Sequence, residues 1–159
     1  MSEKIAIYPG TFDPITLGHL DVIERSLKVF DKIIVGVTTN LKKETLFSLD
    51  ERVSLIKSSV SYLNGVEVES FNGLLVDFLK KKKVNIILRG LRELSDFESE
   101  FQQAVVNRKL NSDIDSMFIM TNARFFYVSS SMVKEIAKFD GNLEKFVPEV
   151  VENALRKKF

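Results

Sequence analysis

The stretch Lys4-Ile-Ala-Ile-Tyr8, followed by Pro9-Gly-Thr-Phe-Asp-Pro-Ile-Thr-Leu-Gly-His19, decides the fold of this chain. The alternating apolar residues of its first part predict a strand that ends at a Pro-Gly break, and the loop beyond carries Thr11. An amphipathic helix is then predicted over residues 17–30. A strand that feeds a helix through a tight turn gathers backbone N–H groups and the positive helix end at one point. We therefore predict a phosphate site there.

His19 is the only histidine in the chain, and it lies in the first turn of this predicted helix. Ligands of α/β sheets bind in the crevice at the carboxyl ends of the strands, to which this turn belongs. Gly10 and Gly18 have no side chains, so the backbone can approach a ligand closely. A single histidine at a helix start is also common as a solvated polar residue. The spacing alone therefore leaves both a functional and a structural role open for His19.

The composition is that of one globular domain over residues 1–159. Hydrophobic residues make up 45% and charged residues 28%, and 23 Lys and Arg nearly balance 22 Asp and Glu, which argues against a general nucleic-acid binder. No cysteine is present, which excludes disulfides, thiolate metal sites and cysteine nucleophiles. No apolar run has transmembrane length, and the first residues lead directly into a strand. We therefore expect no membrane anchor, no signal peptide and a cytoplasmic location.

The rest of the chain alternates predicted strands and helices. Further strands are predicted at Lys32–Thr38, Val66–Ser70, Val84–Leu88 and Ser116–Met120. Two further helices are predicted to begin at capping boxes, one at Ser48 and Glu51 and one at Ser95 and Glu98 that runs to about Leu110. A third is predicted over Leu74–Lys82, with Asn72 as its cap. Two more are predicted near the end of the chain, one from the caps Ser129 and Ser130 to Ala137 and one from Pro148 to about Lys158. This alternation predicts a doubly wound, Rossmann-like α/β fold, with a five-stranded parallel sheet and helices on both faces.

Cationic and hydroxyl side chains follow four of the predicted strands. They are Thr11 after the first strand, Lys42 and Lys43 after the second, Arg89 and Arg92 after the fourth, and the segment Arg124–Ser131 after the fifth. Because the carboxyl ends of parallel strands share one edge of the sheet, these residues predict a site for a polyanion. Neither a G-x-x-x-x-G-K-S/T loop nor a G-x-G-x-x-G turn after the first strand is present, so a P-loop and a dinucleotide site are not predicted.

The residue types limit the chemistry of such a site. With no cysteine and no second histidine, covalent catalysis would need a lone His or Ser without an evident base. Attack of a phosphate on the α-phosphate of a nucleotide needs no protein nucleophile. It needs two anions held together and charge stabilised by Lys, Arg, His and Mg²⁺ as pyrophosphate leaves.

Five motifs carry a resemblance to a known family. Thr16-Leu-Gly-His19 is similar to the T/H-x-G-H signature of the nucleotidyltransferases, and here it follows Gly10-Thr-Phe-Asp-Pro14. With Arg89-Gly-Leu-Arg92, Asp96–Glu100 and Val128–Glu135, essentially the whole chain resembles the bacterial phosphopantetheine adenylyltransferases. The resemblance implies transfer of the adenylyl group of ATP to 4′-phosphopantetheine, giving dephospho-coenzyme A and pyrophosphate, with no covalent enzyme intermediate.

The resemblance also implies roles for particular residues. The implied catalytic residues are His19, Lys43 and Arg92. The implied phosphopantetheine-binding residues are Thr11, Lys43, Leu75 and Arg89. The implied ATP-binding residues are Thr11, Phe12, His19, Gly90, Leu91, Arg92, Glu100, Phe125, Phe126, Tyr127, Val128, Ser129, Ser130 and Ser131. No metal-ligating residue is implied, although Mg²⁺ is the expected cofactor. A homohexamer and feedback by coenzyme A are further expectations from the family.

Several alternatives remain open at this point. Related cytidylyltransferases and nicotinate mononucleotide adenylyltransferases usually carry His-x-G-His, so Thr16 favours the phosphopantetheine enzymes. A non-catalytic nucleotide-binding module on the same fold is a different class of function. Leu75 fits an ordinary core position, and Phe125–Tyr127 fits a buried strand. The family often has Lys-Lys-Pro where this chain has Lys43-Glu-Thr45.

Overall fold

A computed structural model of the chain describes residues 3–39 and 44–159. Its five strands are β1 (Ile5–Gly10), β2 (Lys32–Thr38), β3 (Val66–Phe71), β4 (Ile86–Leu91) and β5 (Asp115–Met120). Its helices are α1 (Leu17–Ser26), α2 (Leu49–Ser59), α3 (Leu75–Lys82), α4 (Leu94–Leu110), α5 (Ser130–Lys138) and α6 (Glu149–Arg156), with a 3₁₀ turn over Ala123–Phe125.

The strands form one parallel sheet in the order β3-β2-β1-β4-β5. β1 lies at its centre, so its residues are buried on both faces. Ile7 belongs to the apolar cluster that α3 covers, whereas Ala6 and Tyr8 belong to the larger cluster under α1, α2, α5 and α6. The predicted α/β class, with a five-stranded parallel sheet covered on both faces, is therefore confirmed.

Several strand limits differ from the sequence prediction by a few residues, and two of the differences, in β1 and β4, concern the site. β1 does not end at Tyr8, because Pro9 and Gly10 continue in register with Gly36 and Val37 of β2. β4 begins at Ile86 and runs to Leu91. Arg89 therefore lies inside a strand rather than after one, which gives its backbone a fixed register.

Two predicted helix caps are wrong, at Ser95 and Asn72, whereas the capping box at Ser48 is confirmed. At α2 the Ser48 hydroxyl accepts from the Glu51 N–H at 3.2 Å and the Glu51 carboxylate accepts from the Ser48 N–H at 2.8 Å, as predicted. The predicted box at Ser95 and Glu98 does not form, because α4 already begins at Leu94, with Glu93 at the N-cap and no side-chain cap. Asn72 does not cap α3 either, since its side chain accepts from the adjacent Gly73 N–H.

The other helix limits shift by a few residues. α1 ends at Ser26, whose hydroxyl donates to the Val22 carbonyl, and the chain turns before Phe30. Pro148 is the N-cap of α6 rather than a residue of its first turn. No helix in the described ranges combines the length and the apolar character that a membrane span requires.

Candidate active site

A cleft of about 560 Å³ opens at the carboxyl ends of β1 and β4, a size typical of small-molecule sites. Eleven of the residues predicted for the site line it: Thr11, Phe12, His19, Arg89, Gly90, Arg92, Glu100, Val128, Ser129, Ser130 and Ser131. Segments that are far apart in the sequence therefore meet at one edge of the sheet, as the strand order requires.

A reciprocal capping box at the start of α1 orients His19. The Thr16 N–H donates to His19 Nδ1 at 3.0 Å, and the His19 N–H donates to the Thr16 hydroxyl at 3.4 Å. Thr16 is 1% exposed, so water does not compete for these groups. Because Nδ1 accepts a backbone hydrogen bond, the proton of a neutral imidazole is on Nε2. The ring is thus held as an Nε2–H donor.

The charge of His19 follows from its surroundings. Burial is the largest cause that lowers the pKa of His19, and together with the Arg92 and Arg89 guanidiniums it brings the pKa to about 4. The imidazole is therefore neutral at pH 7. Its ring packs edge-on to Phe12, with the ring centroids 5.0 Å apart. His19 is a neutral donor set against apolar carbon and beside two cations.

The turn after β1 is shaped by Phe12. Phe12 has a φ of 49°, in the left-handed region that side chains rarely adopt, and is 3% exposed. Its ring lies against Gly10, where an added Cβ would be 2.9 Å from the ring. Strained backbone of this kind is concentrated at functional sites. Gly10 thus makes room for Phe12, in addition to the ligand approach that the sequence suggested.

Two arginines of the cleft are held by carboxylates and carbonyls. Arg89 donates to both carboxylate oxygens of Glu100, at 2.5 and 2.6 Å, and to the Pro9 carbonyl at 3.0 Å. Arg92 donates to the Val128 carbonyl at 3.2 Å, and its N–H donates to the Asp96 carboxylate at 3.2 Å. The cations from β4 and from the turn after it are therefore fixed in position against the neighbouring segments.

Sequence reasoning gave no role to the buried carboxylate of Asp13. Asp13 is 5% exposed and accepts from the Leu46 and Phe47 N–H groups and from Lys134 Nζ, all at 2.9 Å. It thereby joins the first loop to the segment before α2 and to α5. Asp13 and Lys134 both stand inside the quoted motifs, so the signal was available from the sequence.

Arg52 is a second residue that the sequence did not reveal. It is 2% exposed and donates to the carbonyls of Thr11 at 2.6 Å, Thr38 at 2.9 Å and Phe47 at 3.3 Å. Burial lowers the pKa of Arg52, and the Asp13 carboxylate opposes that shift. Arg52 thus ties the loop after β1 to the end of β2. No sequence pattern separates it from the other cations of the chain.

The serines at the start of α5 face the first loop. Ser129 is the predicted N-cap, and its hydroxyl accepts from the Met132 N–H at 3.2 Å. Ser130 donates to the Pro14 carbonyl at 2.8 Å. Hydroxyls from α5 and backbone from the first loop thereby form one wall of the cleft.

Other predicted residues lie outside the lining of this cleft. They are Leu75, Leu91, Phe125, Phe126 and Tyr127. Leu75 packs against the apolar cluster under α3, as its core interpretation predicted. Residues 125–127 form no strand, and Phe126 and Tyr127 are 41% and 52% exposed. Lys42 and Lys43 lie outside the described residues, although Glu44 and Thr45, which follow them, line the cleft.

Comparisons with known proteins agree with this geometry. The sequence model of the cytidylyltransferase-like family matches residues 7–136. Two relatives are the phosphopantetheine adenylyltransferases of Clostridium botulinum (strain Eklund 17B / Type B), 56% identical over 97% of this chain and 98% of the relative, and of Syntrophotalea carbinolica, 50% identical over 100% of this chain and 96% of the relative.

A solved structure from Vibrio parahaemolyticus, provisionally named a nicotinate-nucleotide adenylyltransferase, matches the fold with a TM-score of 0.75. It covers 99% of this chain and 94% of its own, at 18% identity, so the likeness concerns the fold alone.

The fold, the cleft and the matched family model place the chain in the cytidylyltransferase-like family, a class of nucleotidyltransferases. Within that class, the full-length relatives show that it belongs to the phosphopantetheine adenylyltransferase family and is an enzyme.

Proposed function

We propose that this enzyme transfers the adenylyl group of ATP to the phosphate of 4′-phosphopantetheine, giving dephospho-coenzyme A and pyrophosphate in coenzyme A biosynthesis. The names of its full-length relatives support this assignment. In the structure, the observation that carries it is His19, a neutral Nε2–H donor beside two arginines in one cleft. That arrangement suits charge that develops on a phosphate oxygen.

The reaction needs no protein nucleophile. An oxygen of the acceptor phosphate forms a bond to the α-phosphorus of ATP, and the bond from that phosphorus to the oxygen bridging to the β-phosphate breaks. The electron pair leaves with pyrophosphate, and no proton must be removed because the attacking phosphate is already an anion. His19 Nε2–H donates to an oxygen on the reacting phosphorus, and Arg92 neutralises charge on the nucleotide phosphates.

The remaining roles divide between the two substrates. Thr11, Lys43, Leu75 and Arg89 are proposed for 4′-phosphopantetheine. ATP is assigned to Thr11, Phe12, His19, Gly90, Leu91, Arg92, Glu100 and the segment Phe125–Ser131. Residues of both sets line the same cleft, which supports binding of both substrates there. Leu75, Leu91 and Phe125–Tyr127 would contact only parts of the substrates that extend beyond it. Because Glu100 holds Arg89 by two hydrogen bonds, it orients the arginine for the acceptor phosphate.

The described residues do not fit a protein-held Mg²⁺ site. Within residues 3–39 and 44–159, no three His, Asp or Glu side chains are grouped as metal ligands. Four carboxylates line the cleft, and three of them, Asp13, Asp96 and Glu100, are each paired with a cation. We therefore propose that Mg²⁺ enters with the phosphates of ATP, keeping waters as its other ligands.

We also propose self-association, with a homohexamer as the expected state. None of the 17 residues of α4 is buried, and one side of this helix exposes Phe97, Phe101 and Val105. The adjacent strand β5 forms an edge of the sheet and exposes Met117 and Met120. Exposed apolar area of this kind is typical of a protein–protein interface.

Two further proposals concern the regulation of the enzyme and its location in the cell. Coenzyme A contains the phosphopantetheine arm of the acceptor, so we propose it as a feedback ligand that competes for the cleft. A cytoplasmic location is proposed because ATP is made and used there.

A pyrophosphate-release assay tests the proposed reaction. ATP with 4′-phosphopantetheine should release pyrophosphate, whereas CTP in place of ATP, or nicotinate mononucleotide in place of the acceptor, should release far less. Equal use of CTP, or no release with 4′-phosphopantetheine, would refute the assignment. ATP binding without turnover of any acceptor would favour a non-catalytic module.

A further inference from the structure

Tyr8 lines the cleft but has no part in the reaction described above. It lies in β1 and is 6% exposed, and its ring packs edge-on against Phe12, with the ring centroids 5.3 Å apart. Within residues 3–39 and 44–159, no group hydrogen-bonds to its hydroxyl. Every fully buried side-chain oxygen in these ranges does have a hydrogen-bond partner, so the Tyr8 hydroxyl is not fully buried. The hydroxyl must therefore open onto the cleft.

The Tyr8 hydroxyl lies close to Gly90 of β4. A Cβ added to Gly90 would lie 3.5 Å from the Tyr8 Oη, so the hydroxyl lies over the backbone between Arg89 and Arg92. Both guanidiniums act electrostatically on Tyr8, and the Glu100 carboxylate acts in the opposite sense. Burial has the largest effect and raises the pKa of Tyr8 well above its usual range. The hydroxyl is thus a permanent donor beside two cations.

We propose that the Tyr8 hydroxyl donates a hydrogen bond to a substrate phosphate oxygen that lies between Arg89 and Arg92. A nearly buried hydroxyl without a partner is costly, and an anionic oxygen would supply the missing acceptor. The same oxygen is attracted by both guanidiniums, and hydrogen bonds to charged acceptors are the stronger kind. The inference rests on the proposed function, because the phosphate would belong to 4′-phosphopantetheine or to ATP.

Tyr8→Phe tests the proposal with little disturbance of packing, because the ring that contacts Phe12 is kept and only the oxygen is removed. Loss of a hydrogen bond to a charged group should lower kcat/KM by about 10- to 100-fold. Tyr62→Phe is the matched control, since Tyr62 is 61% exposed and its hydroxyl contacts Glu24 away from the cleft. The control should stay within about twofold of the wild type.

The substrate whose phosphate accepts the bond is found from separate titrations. A rise in the KM for 4′-phosphopantetheine identifies the acceptor phosphate, and a rise in the KM for ATP identifies the nucleotide. Calorimetry with the phosphate-free probes pantetheine and adenosine should show equal affinity for the wild type and Tyr8→Phe. A substitution that merely disturbed the cleft would weaken the phosphate-free probes as well, and that result would overturn the proposal.

Unchanged kcat and KM in Tyr8→Phe would also overturn it. If the wild type itself released no pyrophosphate, the proposed function would fail. Calorimetric binding of ATP and of 4′-phosphopantetheine to the wild type and Tyr8→Phe would still decide whether the hydroxyl bonds to a phosphate.

Discussion

The turn after β1 and the start of helix α4 both follow strands at the carboxyl edge of the sheet, but their side chains differ in burial. In the turn, Asp13 and Thr16 are 5% and 1% exposed, and both are hydrogen-bonded within the chain. In α4 no residue is buried, and Leu94 and Phe101 are 90% and 53% exposed. The polar groups of the turn are satisfied within one chain, whereas α4 presents apolar side chains that its own chain leaves exposed.

The contrast separates two physical tasks. A site that works by preorganised donors needs its polar groups held before substrate arrives, so buried hydrogen bonds surround the turn. A surface that joins copies of a chain needs apolar area left open until the partner arrives. Substitutions in the turn should therefore alter turnover and monomer stability. Substitutions on α4 should alter assembly.

Among substitutions in and around the turn after β1, His19→Ala should have the largest effect on turnover. Loss of one preorganised donor typically lowers turnover by roughly 10²–10³, or about 2.7–4 kcal/mol. ATP affinity should change much less, because the donor acts mainly on the transition state. The measurements are kcat by pyrophosphate release and ATP affinity by calorimetry. Unchanged kcat would remove His19 from the mechanism, and a covalent adenylyl-His19 found by mass spectrometry would contradict direct transfer.

Arg52→Met should lower the free energy of unfolding by about 2–4 kcal/mol, because three carbonyls lose their donor in a buried place. Since one of those carbonyls belongs to Thr11, the KM for 4′-phosphopantetheine should rise as well. Urea unfolding and steady-state kinetics measure the two effects. Arg52→Lys keeps the charge but not the planar set of guanidinium N–H donors, so it should recover only part of the lost free energy of unfolding. Wild-type stability in Arg52→Met would show that these hydrogen bonds do not hold the turn.

The pH dependence of stability should show that His19 is buried as a neutral ring. Its pKa is about 4 in the folded chain and about 6.5 when unfolded, so between these values the unfolded chain binds more protons. The contribution of His19 to the free energy of unfolding is fully present above about pH 6.5 and is lost as the pH falls toward 4. The loss is on the order of 2 kcal/mol by pH 5. Urea unfolding at pH 7 and pH 5 checks this. In His19→Asn, which cannot titrate, the difference should shrink, and an equal difference in both proteins would argue against a neutral buried imidazole.

Phe101→Glu should have the smallest effect on the folding of one chain. An exposed substitution usually changes the free energy of unfolding of a monomer by no more than about 0.5 kcal/mol. A charge placed on the apolar side of α4 should nevertheless lower the molar mass measured by light scattering. Ser99→Glu, also exposed on α4, is the matched control and should leave the mass unchanged. An unchanged mass in Phe101→Glu would place the assembly surface elsewhere.

Local patterns predicted the parts of the molecule that depend on near neighbours. β2 has the predicted bounds. The capping box at Ser48 and the cap at Ser129 form as predicted, because the partner of each lies three residues away. The box at Ser95 failed although its spacing was right. There α4 already begins at Leu94, so Ser95 lies inside the helix, and the Asp96 carboxylate accepts from the Arg92 N–H. A capping pattern therefore fails where the backbone is already helical at the expected N-cap.

The cleft shows the same division. The motifs placed His19, Arg89 and Arg92 at one edge of the sheet, because strand order and chain direction follow from the alternation of strands and helices. The same motifs did not show that Leu75 lies outside the cleft, since an apolar residue at a helix start reads alike in either place. They also gave no sign of Arg52, because its three acceptors belong to separate segments.

The sequence by itself determined the α/β class, the family and the residue types that gather at the strand ends, because periodicity and motif spacing are local properties. Only the tertiary structure decided that His19 is neutral with its proton on Nε2, that Arg52 and Asp13 lock the turn, and that the Tyr8 hydroxyl faces the cleft. Each of these depends on burial and on the proximity of segments far apart in the chain, and neither can be read from local spacing.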